Sequence, residues 1–100
     1  MAQTPEKKVK MKVVSHLNKM GAYYFFPATG GFGRSGVPDI VGCFDGHFFG
    51  IECKAGKNKA TALQMDQLRK IEAAGGVALL IDETSADNVT ALLTTKTSNI

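Results

Sequence analysis

The stretch Val37-Pro38-Asp39-Ile40-Val41-Gly42-Cys43-Phe44-Asp45-Gly46-His47-Phe48-Phe49-Gly50-Ile51-Glu52-Cys53-Lys54 reads as two apolar strands joined by Asp45-Gly46. Asp-Gly between apolar runs is a strong local hairpin signal, because a type I′ turn needs positive φ at both central residues. With that turn, Phe44 faces His47, and counting outward along both strands brings Asp39 opposite Glu52. A four-residue loop keeps the same pairing, and only a bulge would shift it. Directly opposed residues hold their Cβ atoms about 4.5 to 5.5 Å apart. The register therefore predicts two carboxylates side by side, with Lys54 on the same face because strand side chains alternate.

Working outward, Val9, Val13, Leu17 and Met20 form the apolar stripe of an amphipathic helix that starts at Pro5 and ends at Gly21. Glu6 stands two helical turns before Val13, which projects it inward rather than with the lysines. Ala22 to Phe26 predicts a short aromatic strand stopped by Pro27, and such a run is more often sheet core than a base-stacking surface. Thr61 and Gln64 fit a capping box opening a second helix, which continues through Leu68 and Ile71 to Gly75-Gly76. Val77 to Ile81 predicts a buried strand. Ser85 is placed to cap a last helix with Val89, Leu92 and Leu93 inward, and Thr94 to Ile100 is expected to fray. The expected fold class is α/β, in the order α-β-β-β-α-β-α around a central mixed β-sheet flanked by helices.

One hundred residues suit a single domain, Met1 to Ile100, with its core from about residue 6 to about residue 93. The 44% hydrophobic and 21% charged content is that of a soluble globular chain. No apolar run approaches the roughly 18 residues of a membrane span. The polar start, Met1 to Glu6, runs into lysines without an apolar region, so no secretory signal is expected and the location is read as cytoplasmic. Cys43 and Cys53 lack zinc-site spacing and read as reduced core thiols. A net charge of +3 is mild, yet Lys54, Lys57 and Lys59 gather around the hairpin motif. Each lysine by itself is most simply a solvated side chain.

Opposed like charges destabilise a hairpin, so Asp39 facing Glu52 needs a reason. A divalent cation supplies one. Mg²⁺ or Mn²⁺ accepts a few carboxylate oxygens together with waters and phosphate oxygens, and the Cys53 carbonyl is a further candidate ligand. Lys54 beside them suits activation of a water and stabilisation of a phosphorane-like transition state. The plainer alternative is a solvent-facing pair with a weak surface salt bridge to Lys54.

These residues resemble the PD-(D/E)xK nuclease superfamily and, within it, stand-alone VRR-NUC domains, which are similar to archaeal Holliday junction resolvases. The resemblance runs through Glu6, Ser35-Gly36-Val37-Pro38-Asp39-Ile40, Ile51-Glu52-Cys53-Lys54, Gln64, Leu68 and Ala74-Gly75-Gly76. It implies a restriction-endonuclease-like fold in which Asp39 and Glu52 bind metal, Lys54 is catalytic, and Glu6 and Gln64 line the site. Glu6 thereby becomes a further metal-ligand candidate and Gln64 a further catalytic one. It also implies a homodimer cutting branched or Holliday-junction DNA, in a viral, phage or bacterial setting. Arg34, Ser35, Lys57 and Lys59 are candidate DNA contacts. Gly31 to Gly36 spells GxGxxG, but Pro38 and β-branched residues follow instead of a helix, so it is no dinucleotide fingerprint. His16 and His47 lack ligand-spaced partners. The rival reading is a non-catalytic nucleic-acid-binding module or a subunit of a larger repair or restriction assembly. The presence of Asp39, Glu52 and Lys54 together disfavours it.

Overall fold

The computed structural model describes residues 3–28 and 35–98. Helix α1 (Pro5–Met20) is followed by strands β1 (Tyr23–Phe25), β2 (Ile40–Phe44) and β3 (His47–Cys53), helix α2 (Ala62–Ala73) and strand β4 (Val77–Ile81). A 3₁₀ turn (Ala86–Asn88) then leads into helix α3 (Val89–Ser98). The architecture is α/β, with one open, mixed, four-stranded sheet in the order β1-β2-β3-β4. The first three strands run antiparallel, and β4 joins β3 in parallel after the α2 crossover.

The hairpin register is the expected one. Phe44 pairs with His47 and the ladder continues to Ile40 with Ile51. Asp45 and Gly46 take φ of 52° and 79°, the positive pair that the turn demands. Pro38 lies at the position that would face Cys53 if the register continued, and its missing N–H ends the ladder there. Asp39 therefore sits one residue outside β2, in a bend, at the end of the sheet.

Two helices cover one sheet face. Val9, Val13 and Leu17 of α1 and Val89 and Leu93 of α3 pack with Phe49, Ile51 and Cys53 of β3 and Val77, Leu79 and Ile81 of β4. Helix α2 covers the opposite face, where a Cβ on Gly50 would meet Ile71 Cδ1 at 2.5 Å. The strand period thus sends Ile51 and Cys53 to the main core and Gly50 and Glu52 toward α2. Thr4 caps α1 by accepting from the Lys7 N–H, Pro5 begins the helix, and Gly21 closes it at φ 74°.

Four expectations fail for physical reasons. Cys43 is exposed rather than a core thiol, because the turn end of the hairpin projects past α2, as Phe48 does at 48% exposure. Of the aromatic run, only Tyr24 packs against the core. Strand β1 is an edge, and Tyr23, Phe25 and Phe26 are half or more exposed. Ser85 makes no side-chain cap, since its hydroxyl accepts from the Asp82 N–H in a tight turn and the chain passes through the 3₁₀ turn first. Nor does the end fray from Thr94: α3 runs to Ser98, with Thr97 buried and its hydroxyl donating to the Leu93 carbonyl at 2.9 Å.

Candidate active site

The ends of β2 and β3 meet the first turns of α1 and α2, and the candidate residues gather there. Cys53 would ordinarily donate its N–H to the carbonyl of its partner strand. It donates instead to Asp39 Oδ2 at 2.9 Å, which pins the Asp39 carboxylate against β3. Its carbonyl lies on the same edge of the strand, past the last pair of the ladder. Gly36, at φ 75°, supports this arrangement. A Cβ there would lie 2.6 Å from the Leu63 carbonyl carbon, so the loop entering β2 rests directly on the start of α2.

Glu52 is the central group, buried at 2% exposure. Its Oε2 accepts from Gln64 Nε2 at 3.2 Å and lies 3.5 Å from Lys54 Nζ. Its Oε1 is buried and has no hydrogen-bond partner among the described residues. Burial, and next the negative charge of Asp39, push the Glu52 carboxyl up to about 7, while Lys54 opposes the rise. Lys54 is itself largely buried and reaches Glu6 Oε1 at 3.9 Å. The ammonium thus stands between two carboxylates, one from the sheet and one from α1.

Gln64 caps α2 and also reaches Glu52. Its Oε1 accepts from the Thr61 N–H at 2.9 Å, and its own N–H donates to Thr61 Oγ1, completing a capping box. The other end of the same amide holds Glu52. Glu6 is half-exposed rather than fully inward, and its reach to Lys54 brings it to the site. Cys53 belongs to the site through its backbone alone, since burial and the nearby carboxylates push its thiol up to about 12 and leave it un-ionised.

Lys57 is exposed on the loop after β3, and Lys59 follows it on the same loop. Both line a cleft of about 430 Å³ that also contains Lys54 and Asp82. Glu83 fixes this loop by accepting the Gly56 N–H at 3.0 and 3.2 Å, a contact that no local pattern announced. Ser35 is exposed in the turn before Asp39, and Arg34 lies outside the described residues. Strand β2 follows Gly36, in agreement with setting aside a dinucleotide loop. His16 pairs with Asp87 at 3.4 Å, in contact with Thr90 and away from the site. A more apolar cleft of about 460 Å³ lies between Phe25, Pro38, Phe48 and Ile71, and no site carboxylate lines it.

Among the described residues, no three His, Cys, Asp or Glu side chains form a ready-made metal cage. What the site offers is two adjacent carboxylates, one with an unpartnered buried oxygen, a strand carbonyl past the end of the ladder, and a nearby ammonium. No helix among the described residues is long and apolar enough to cross a membrane. The chain matches no protein-family model and no curated protein.

Proposed function

We propose that this chain is a metal-dependent endonuclease of restriction-endonuclease-like fold that hydrolyses DNA phosphodiester bonds. The observation that carries the reading is the unpartnered, buried Oε1 of Glu52 beside the Asp39 carboxylate. A buried carboxylate oxygen without a donor is costly, and a cation is the partner that also relieves its repulsion with Asp39. Mg²⁺ and Mn²⁺ keep several waters and need only one or two protein carboxylates, so the donor set fits without a third acidic side chain. Asp39, Glu52 and the Cys53 carbonyl would hold the ion, with Glu6 near enough to Lys54 to join through water. When bound, such an ion supplies Lewis acidity at a phosphoryl oxygen.

The chain's own groups supply the rest. Gln64 orients Glu52, and the Cys53 N–H orients Asp39. Lys54 holds its ammonium 3.5 Å from Glu52, where it can position an attacking water and offset the charge growing on the phosphorane. Lys57 and Lys59 border the same cleft as Lys54, as groups that track a phosphate backbone would. The motif resemblance to Holliday junction resolvases extends the proposal to branched DNA and to a homodimer with two sites on one substrate.

The test is cleavage of a labelled four-way junction, a flap and a linear duplex with Mg²⁺, with Mn²⁺ and with EDTA. Cleavage is expected only with metal, and Lys54→Ala and Asp39→Asn should each lower it by roughly 100-fold or more. Cleavage that persists in both variants would overturn the assignment. Equal cutting of duplex and junction would remove the branched-DNA part alone. Light scattering reads the dimer.

A further inference from the structure

Asp39 and Glu6 also line a second cleft, of about 350 Å³, together with Thr4, Lys7, Lys10, Met11 and Phe26. We propose that this cleft is a nucleotide subsite taking one unpaired base of the DNA strand beside the scissile phosphate. The proposal rests on the nuclease reading above and adds the determinant by which substrates would be selected.

Phe26 carries the argument. It lies just past β1 and is 50% exposed, so the core does not account for its ring. Lys10 Nζ lies 4.2 Å from the ring centroid, and the Tyr24 ring leans against it with centroids 6.0 Å apart. A half-exposed aromatic held from two directions is a platform rather than a loose side chain. Lys7 and Lys10 sit one helical turn apart along the cleft and present two ammonium groups to a strand whose scissile phosphate lies across Asp39. Lysines for the backbone and an aromatic face for the base are the two elements by which proteins hold single-stranded nucleic acid.

Pairing state then decides what enters. A base inside a duplex is stacked on both faces, and its ring cannot lie on Phe26 unless it leaves the helix. A nucleotide already unpaired at a branch point, flap or frayed end avoids that cost. The cleft therefore selects DNA by an unpaired nucleotide next to the cut rather than by sequence, since every base has a face to stack.

The test uses the whole chain and a duplex carrying one unpaired 2-aminopurine, with a fully paired duplex beside it. In EDTA, the wild type and Phe26→Trp should quench the 2-aminopurine, and Phe26→Ala should lose the quench. The preference for unpaired over paired DNA should fall roughly 10-fold in Phe26→Ala. With Mn²⁺, the ratio of cleavage rates on the two DNAs should fall similarly in Phe26→Ala and return in Phe26→Trp. Unchanged quenching and an unchanged ratio in Phe26→Ala would overturn the subsite while the nuclease reading stands. If the wild type cuts neither DNA but its quench still depends on Phe26, the subsite stands and the nuclease reading falls. Failure of the wild type to bind the unpaired probe would overturn the subsite.

Discussion

Replacing Glu52 by Gln should stabilise the metal-free protein at alkaline pH and leave it little changed in acid. The carboxyl is held at about 7 in the folded chain against 4.5 for an ordinary glutamate, chiefly by burial and then by Asp39. Between those values the unfolded chain sheds a proton that the folded chain keeps. The stability Glu52 contributes is therefore fully present below 4.5, declines as pH rises, and is gone once pH passes the folded value near 7. At 1.36 kcal/mol per pH unit, the loss above neutrality is about 3 kcal/mol. For a domain of this size, that is a fall in Tm of roughly 10 to 20 °C. Gln64 Nε2 can donate to the glutamine carbonyl oxygen as it does to the carboxylate, so the substitution keeps the brace and removes only the charge. The assay is thermal unfolding from pH 4 to pH 9 in EDTA, taken as the difference between variant and wild type so that other titrations cancel. Adding Mg²⁺ at pH 8 should restore much of the wild-type loss and do little for the variant. Parallel pH profiles for the two proteins would refute the account of Glu52 as a buried, unrelieved carboxylate.

Gln64→Ala removes the capping oxygen and the brace on Glu52 together, and should lower the unfolding free energy by about 1 to 2 kcal/mol, read from a urea midpoint with an unchanged slope. Gly36→Ala places a Cβ 2.6 Å from the Leu63 backbone at φ 75°. It should cost about 1 kcal/mol or more and impair cleavage by moving Asp39 away from α2. Asp39→Asn keeps an acceptor for the Cys53 N–H and should fold normally, whereas Asp39→Ala orphans that donor and should cost about 1 to 3 kcal/mol, as chemical denaturation would show. Mass spectrometry after maleimide treatment should find one adduct in the native protein, at the exposed Cys43, and a second at Cys53 only after unfolding.

What the sequence discloses divides according to how local its cause is. The Asp45-Gly46 turn sets its own backbone and so sets the pairing of Ile40 with Ile51, which leaves Asp39 and Glu52 at the end of the ladder. Strand β4 is legible to the residue because a glycine pair and an aspartate bracket an apolar run. Thr61 and Gln64 announce the start of α2, while a place for Gln64 beside Glu52 is implied only by the motif resemblance. The structure joins the two because an amide has two ends. Exposure at Cys43 and Phe25 is not local, since it depends on which strand forms the edge and how far α2 reaches along the hairpin. The approach of Lys10 to Phe26 is equally silent in sequence, as it requires α1 to dock across the sheet end.

That dependence has a direction. Pro38 stops the ladder and frees the edge of Cys53, and Asp39 takes the orphaned N–H, which turns its carboxylate toward Glu52. Helix α2 meanwhile buries Glu52 and supplies one hydrogen bond where a fully satisfied carboxylate would take more. A sheet end that needed only stability would carry apolar residues at these positions, because a buried carboxylate beside a second, partly exposed one is poorer than packed side chains. The electrostatic cost falls on three neighbouring positions, Asp39, Glu52 and Lys54. Local rules hold through the hairpin turn and strand β4 and give way at these three positions, a trade of stability that the proposed chemistry would explain.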